Sequence, residues 1–289
     1  MIRKKKEIPL DIPAKRDDVD SWLVVGLDPS LSSTGYAMMK VTPGPGRTMN
    51  PSCTDGQWLA AGSVRPETSA DPIWVRSKMI ASYLREMISE AYDKYVYQYS
   101  HNVLGDFGEP HVERLGLILS LEYPTPMDDY LVALNRIIHL VFFETDMWKK
   151  FATVRILMTN AATLRSLMGL YKKGNNKGEN ILRAYDFINK DGYPQLDSDA
   201  CDAVLLTMVG RHVASILLGF PDTVPENFKV SLCNAERGTK GAGRNQKVIT
   251  KGILWRPEYF YEYKRKTFRL RIKDASSPKR KLEVEEYEI

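Results

Sequence analysis

Residues 21–41 read SWLVVGLDPSLSSTGYAMMKV. An almost wholly apolar run from Trp22 to Leu27 ends on a carboxylate, Asp28. A small polar turn follows, and a second apolar run starts at Gly35. The pattern predicts two strands joined by a short turn, with Asp28 at the tip of the first. An apolar strand can end on aspartate for two reasons: the side chain shapes the turn before Pro29, or it holds a metal ion. Beyond the Pro/Gly-rich stretch PGPGRTMNPSCTDG, which must be a loop, QWLAAGSV (57–64) predicts a third strand. Three consecutive strands with short connections make an antiparallel meander.

Downstream the periodicity changes. From Pro72 to about Tyr97, Ile73, Ser77, Ile80, Leu84, Met87, Ile88 and Ala91 recur on one side of a helix. LGLILSL (115–121) is a continuous apolar run of the buried-strand kind and ends at Glu122. A helix from Asp128 to about Thr145 follows, then a fifth strand, TVRILMT (153–159). Asn160 is placed to cap a short helix over NAATLRSLMG. YKKGNNKG is a basic, glycine-containing loop that includes Lys172, Lys173 and Lys177, and ENILRAYDFINK reads as helix. DSDACDAVLLTMVGRHVASILLG is a long apolar helix with acids at its start and Gly219 at its end. The order β-β-β-α-β-α-β-α-α predicts an α/β fold: a mixed five-stranded sheet flanked by helices, the ribonuclease H-like layout.

The expected organisation is a basic arm (1–21), a ribonuclease H-like α/β domain (22–221) and a small β-rich basic appendage (222–289). From Lys229 to Lys281 there are 16 Lys or Arg against 4 Asp or Glu, a patch suited to a polyanion. In TFRLRIK (267–273), Phe268, Leu270 and Ile272 alternate with Arg269, Arg271 and Lys273. Tyr259, Phe260, Tyr261 and Tyr263 interleave with Lys264, Arg265 and Lys266. Aromatics can stack on splayed bases while cations neutralise phosphates; a small β core with solvated charges fits the same pattern. Cys53, Cys201 and Cys233 are far apart and form no CxxC, which argues against zinc and for a reducing compartment. With no signal-peptide core and no run of about 18 apolar residues, a cytoplasmic, DNA-associated protein is expected.

The chemistry concentrates in four acids. Asp28 and Glu122 end strands, and Asp199 and Asp202 share one face at the start of the last long helix. If the first and fourth strands are neighbours, all four can meet. Clustered carboxylates suppress one another's ionisation unless cations neutralise them. Hard oxygen donors select Mg²⁺ or Mn²⁺, two of which can bracket a phosphate. Other roles remain open for each: a turn former, a strand-end charge, or first-turn acids facing the helix dipole. Glu113 is a rival for Glu122, though it precedes the apolar run; Asp197 and Ser198 look more like helix caps than ligands.

GLDPSLSSTGYAMM resembles the opening motif of the RuvC-type Holliday-junction resolvases, with Asp28 in the place of the first catalytic aspartate. LSLEYP is similar to the family's strand-borne glutamate segment, giving Glu122, and DSDACDAVLL to its closing D-x-x-D-A motif, giving Asp199 and Asp202. LRSLMGLYKKGNNKGE resembles the family's basic loop, with Arg165 and Lys177 near its basic positions. The resemblance spans roughly Trp22 to Gly219, with a longer gap between Asp28 and Glu122 than in compact members. It implies a Mg²⁺-dependent crossover-junction endodeoxyribonuclease with two ions per site, Lys177 on a phosphate near the scissile bond, branched four-way DNA as substrate, and a homodimer. The helix carrying Ile137, Ile138, Val141, Phe142 and Phe143 is a candidate dimer surface. Rival readings are another nuclease of the same fold, acting on flaps, packaged DNA or hybrids, and a catalytically silent DNA-binding protein.

Overall fold

The computed structural model describes residues 19–30, 32–44, 54–66, 71–102, 113–122, 134–135, 137–138, 149–170, 177–189, 191–193, 195–233, 236–240, 247–251, 253–255, 267–273 and 281–287. The meander is β1 (Ser21–Asp28), β2 (Thr34–Pro43) and β3 (Thr54–Val64), antiparallel throughout. Helix α1 (Ile73–Asn102) then leads to β4 (Leu115–Glu122), and β5 is Val154–Thr159. Three helices follow: α2 (Ala161–Leu167), α3 (Lys177–Tyr185) and α4 (Ser198–Leu217). The main sheet runs β3-β2-β1-β4-β5, with β4 parallel to both β1 and β5. This is the expected five-stranded ribonuclease H-like core. A sixth strand, β8 (Ile253–Trp255), extends it by pairing antiparallel with β5.

β1 and β4 are apolar on both sides because helices cover both faces of the sheet. Alternation sorts their residues. Trp22, Val24 and Ile118 pack with Val204, Leu206 and Val209 of α4. Leu23, Val25, Leu27, Leu117, Leu119 and Leu121 pack with Ile80, Leu84 and Ile88 of α1. On α1, Ser77, Ile80, Leu84, Ile88 and Ala91 are buried as the spacing predicted, while Ile73 and Met87 are partly exposed. Leu134 and Ile138, within a short helical stretch, complete this second layer. The rest of the expected Asp128–Thr145 helix, including Val141, Phe142 and Phe143, lies outside the described residues.

α4 is long and apolar enough by composition to cross a membrane, yet most of it is buried in this core. It sits very close to the sheet because two strand positions lack a side chain. A Cβ on Gly26 would fall 2.3 Å from the Ala203 carbonyl oxygen, and one on Gly35 only 1.9 Å from that of Asp199. The Thr207 hydroxyl accepts the Gly26 N–H (3.1 Å) and lies 3.0 Å from the carbonyl of Ala37, the partner of Gly26 in register. The helix is thereby stitched into the β1–β2 ladder.

The C-terminal segment is not purely β. Helix α5 (Glu226–Cys233) follows a 3₁₀ turn at Pro221–Thr223, and Val224, Phe228 and Ile253 belong to the α4-side core. Phe228 stacks at 4.8 Å on His212, whose pKa burial pushes down to about 4, with Arg211 adding repulsion. Two hairpins follow the expected β character: β6 (Glu236–Lys240) with β7 (Lys247–Lys251), and β9 (Thr267–Lys273) with β10 (Lys281–Tyr287).

Candidate active site

Each acid reaches the site through a separate element. Leu27 is registered with Leu121 across the parallel β1–β4 pair, so Asp28 and Glu122 leave the sheet side by side. By alternation both lie on the α4 side. Gly35, opposite Asp28 on β2, is where the backbone of Asp199 rests. The first turn of α4 is therefore held over the ends of β1 and β2. Asp199 and Asp202, three residues apart, share a face of that turn.

The start of α4 is fixed by a different acid. Asp197 is the N-cap, accepting the Ala200 N–H at 2.9 Å. Its other oxygen accepts from the Ser63 hydroxyl (2.6 Å) and from Arg65 (2.9 Å), both at the end of β3. Burial pushes its pKa up, but these hydrogen bonds outweigh burial and hold it below the usual carboxylate range. Asp197 is thus a helix cap, one of the two candidates, while Ser198 is the first residue of the helix. Asn160 caps α2 in the same way, accepting the Thr163 N–H at 2.7 Å.

The electrostatics of the remaining acids are opposite. Burial, followed by the charge of Glu122 and a hydrogen bond with it, and then Asp202 and Asp199, raise the Asp28 pKa to about 9. Burial and the neighbouring acids thus favour the protonated form of Asp28 where no cation is present. Asp202 is raised to about 6, chiefly by burial; Glu122 and Asp199 add to this, while a hydrogen bond from Asn180 and the charge of Arg165 oppose it. Asp28 and Asp202 are only partly buried, so solvent still reaches the cluster. Among the described residues no three His, Cys, Asp or Glu side chains form a ready-made ion cage. The donor set nevertheless fits a hard cation, being all oxygen and mutually repelling where no cation is present. Cys201, between the two α4 acids, is no competitor: burial, then Asp202 and Asp197, push its thiol up to about 12.

Glu113, the rival glutamate, lies at the opposite end of β4. It is buried, accepts from the Ser21 hydroxyl, and pairs with Lys40 at 2.7 Å. Of the basic candidates, Arg165 sits in the last turn of α2, close enough to act on Asp202. Lys177 opens α3. Lys172, Lys173, Lys264 and Arg265 lie outside the described residues. Arg269 and Arg271 are on β9 as the alternation predicted, but the register sets them opposite Glu285 and Glu283 of β10. Acidic positions of β10 are thus in register with the basic positions of β9.

Sequence reasoning missed Asn180, which donates to Asp202 at 2.8 Å. It also missed two buried hydroxyls on the α4 side of the sheet, Ser120 and Thr159, neither with a hydrogen-bond partner among the described residues. Thr159 is registered with Glu122. Ser120 stands two residues before Glu122 on the same face of β4, whereas Asn180 and Thr159 come near the acids only through the pairing of remote elements.

A scan against protein-family models and a search of curated proteins each found no match. Among solved structures the chain is similar to Thermus thermophilus RuvC in complex with a Holliday junction substrate: 13% identity, 68% of this chain, 97% of that chain, TM-score 0.41. It is also similar to Thermus thermophilus RuvC alone: 15% identity, the same coverages, TM-score 0.39.

Proposed function

We propose that this protein is a divalent-ion-dependent endonuclease that hydrolyses DNA phosphodiesters at branched DNA, resolving four-way junctions by paired incisions. One observation carries the reading: Asp28, Glu122, Asp199 and Asp202, from three remote parts of the chain, act on one another at a single end of the sheet. The opening and closing motifs, which resemble those of the junction resolvases, supply the substrate class. Asp28, Glu122, Asp199 and Asp202 would hold the ions. When bound, a pair of Mg²⁺ or Mn²⁺ ions neutralises phosphate charge and activates water.

The chain's own residues prepare this. The partial burial of Asp28 lowers the local dielectric and strengthens every interaction with charge that enters. The Asp197 cap, tied to Ser63 and Arg65, keeps the acidic turn of α4 from sliding along the sheet. Arg165, whose charge acts on Asp202, and Lys177, at the start of α3, would supply positive charge to an approaching phosphate. The lysine would stabilise negative charge as it develops. A two-fold junction requires two such sites, hence a homodimer. Lys172, Lys173, Lys264, Arg265, Arg269 and Arg271 would bind the backbone of the DNA arms.

The test is nicking of a synthetic four-way junction beside a matched linear duplex, with and without Mg²⁺. Wild type should cut the junction only with the ion. Asp28→Asn should lower the rate by roughly three orders of magnitude or more while junction binding persists. Equal rates for Asp28→Asn and wild type overturn the site. Equal cutting of the linear duplex leaves a nuclease but removes the junction specificity.

A further inference from the structure

We infer that Asn180 is a positioning residue that fixes the Asp202 carboxylate for ion binding; the inference rests on the ion-dependent reading above. The Asn180 side-chain amide donates to Oδ1 of Asp202 at 2.8 Å, joining α3 to α4 across 22 residues of chain. With one oxygen held, the other Asp202 oxygen has a defined direction. Carboxylates that ligate metals depend on such hydrogen-bonding neighbours for orientation.

The chemistry of the donor matters. A lysine or arginine at this distance would hold Asp202 equally well but would cancel the charge that an ion needs. The fold does use a cation where a buried acid is structural: Glu113 is matched by Lys40 at 2.7 Å. At Asp202 the hydrogen-bond donor is a neutral amide, which orients the carboxylate without adding to the positive charge of Arg165 nearby. Docking of α3 does not depend on this bond, because Ala184 is fully buried in the α4 core cluster and Ile181 and Tyr185 pack against it. Asn180 also lies one helical turn from Lys177, on the same face. The bond that orients Asp202 therefore anchors the turn of α3 that Lys177 opens.

The experiment titrates Mn²⁺ into ion-free, full-length protein and follows the free-ion EPR signal, alongside thermal unfolding. The proteins are wild type, Asn180→Leu, Asn180→Gln, Asn180→Lys and Asp28→Asn. Asn180→Leu should weaken Mn²⁺ binding about 10-fold, at the lower end of what loss of an orienting partner costs, and Asn180→Gln should recover part of it. Asn180→Lys keeps a donor to Asp202 and should fold, yet lose at least as much affinity. A residue that only docks α3 would behave differently, with the Asn180→Lys change tolerated and Mn²⁺ binding unmoved. Should Asn180→Leu unfold, Asn180→Lys and Asn180→Gln still decide. If wild type binds Mn²⁺, Asp28→Asn abolishes it and the Asn180 variants bind as wild type, this inference alone is overturned. If wild type binds no Mn²⁺, the site reading falls with it.

Discussion

The two ends of β1 and β4 carry carboxylates in opposite electrostatic settings. At the start, Glu113 is enclosed with Lys40 and the Ser21 hydroxyl, each side chain of the ion pair 6% exposed. At the finish, Asp28 meets Glu122, Asp202 and Asp199, and each of them raises its pKa. One end is electrically closed by a lysine, and at the other the acids face one another. The same strands, a few residues apart, show what a carboxylate looks like when its role is structural. On this contrast the proposed ion site rests.

The largest expected effect is at the closed end. Glu113→Gln removes the anion facing a buried ammonium, and unfolding in urea should show a loss of about 3–5 kcal/mol, the cost of stranding one member of a buried pair. Replacing both members with Glu113→Leu and Lys40→Met should recover most of it. An unaffected single variant would mean that the pair is solvated and the contrast is not real.

The open end should respond to pH in the opposite sense from a salt-bridged acid. The folded-state pKa of Asp28, about 9, lies above the ordinary aspartate value of 3.8. Between those values the folded state binds more protons than the unfolded one, so ion-free stability is full below about pH 4 and falls as pH rises towards 9. One such group contributes a slope of at most about 1.4 kcal/mol per pH unit. Melting scans at several pH values should show the decline, and millimolar Mg²⁺ should flatten it. A melting temperature that stays constant across this range in chelator would remove the acidic coupling.

Gly35→Ala tests how the open end is assembled. The new methyl group would overlap the Asp199 carbonyl, so α4 must shift. About 1–3 kcal/mol of stability should go, as for other overpacked sites, together with Mn²⁺ uptake. Normal uptake by a folded Gly35→Ala protein would show that the helix position is not critical. The smallest effect is expected at Asp197→Ala. Loss of the cap should cost about 1 kcal/mol with ion binding largely kept, separating the capping acid from its neighbours two and five residues on.

Much of this was legible in the chain. Apolar runs over Trp22–Leu27 and Leu115–Leu121 had to be strands buried on both faces, and their terminal acids had to emerge at strand tips. The 3.6-residue spacing on α1 identified its buried side down to Ser77. What spacing could not reveal was contact between remote elements. Asn180 in the segment GEN is one polar residue among several, and Glu113 differs from Glu122 only by which end of a strand it occupies. The basic alternation of Thr267–Lys273 was read correctly as a strand, but the acids of its partner strand were not weighed against it. Helix α5 and strand β8 were absorbed into an expected β-rich tail because short elements carry little periodic signal of their own.

By itself, the sequence determined which side chains could do the chemistry, because residue type and local period are properties of the chain alone. Only the tertiary structure decided which of its acids come together within reach of solvent, which is matched by a lysine and which is held by an amide. Burial and Coulomb energy depend on distance through space, and that distance was set by strand order and by the glycines that let α4 settle onto the sheet.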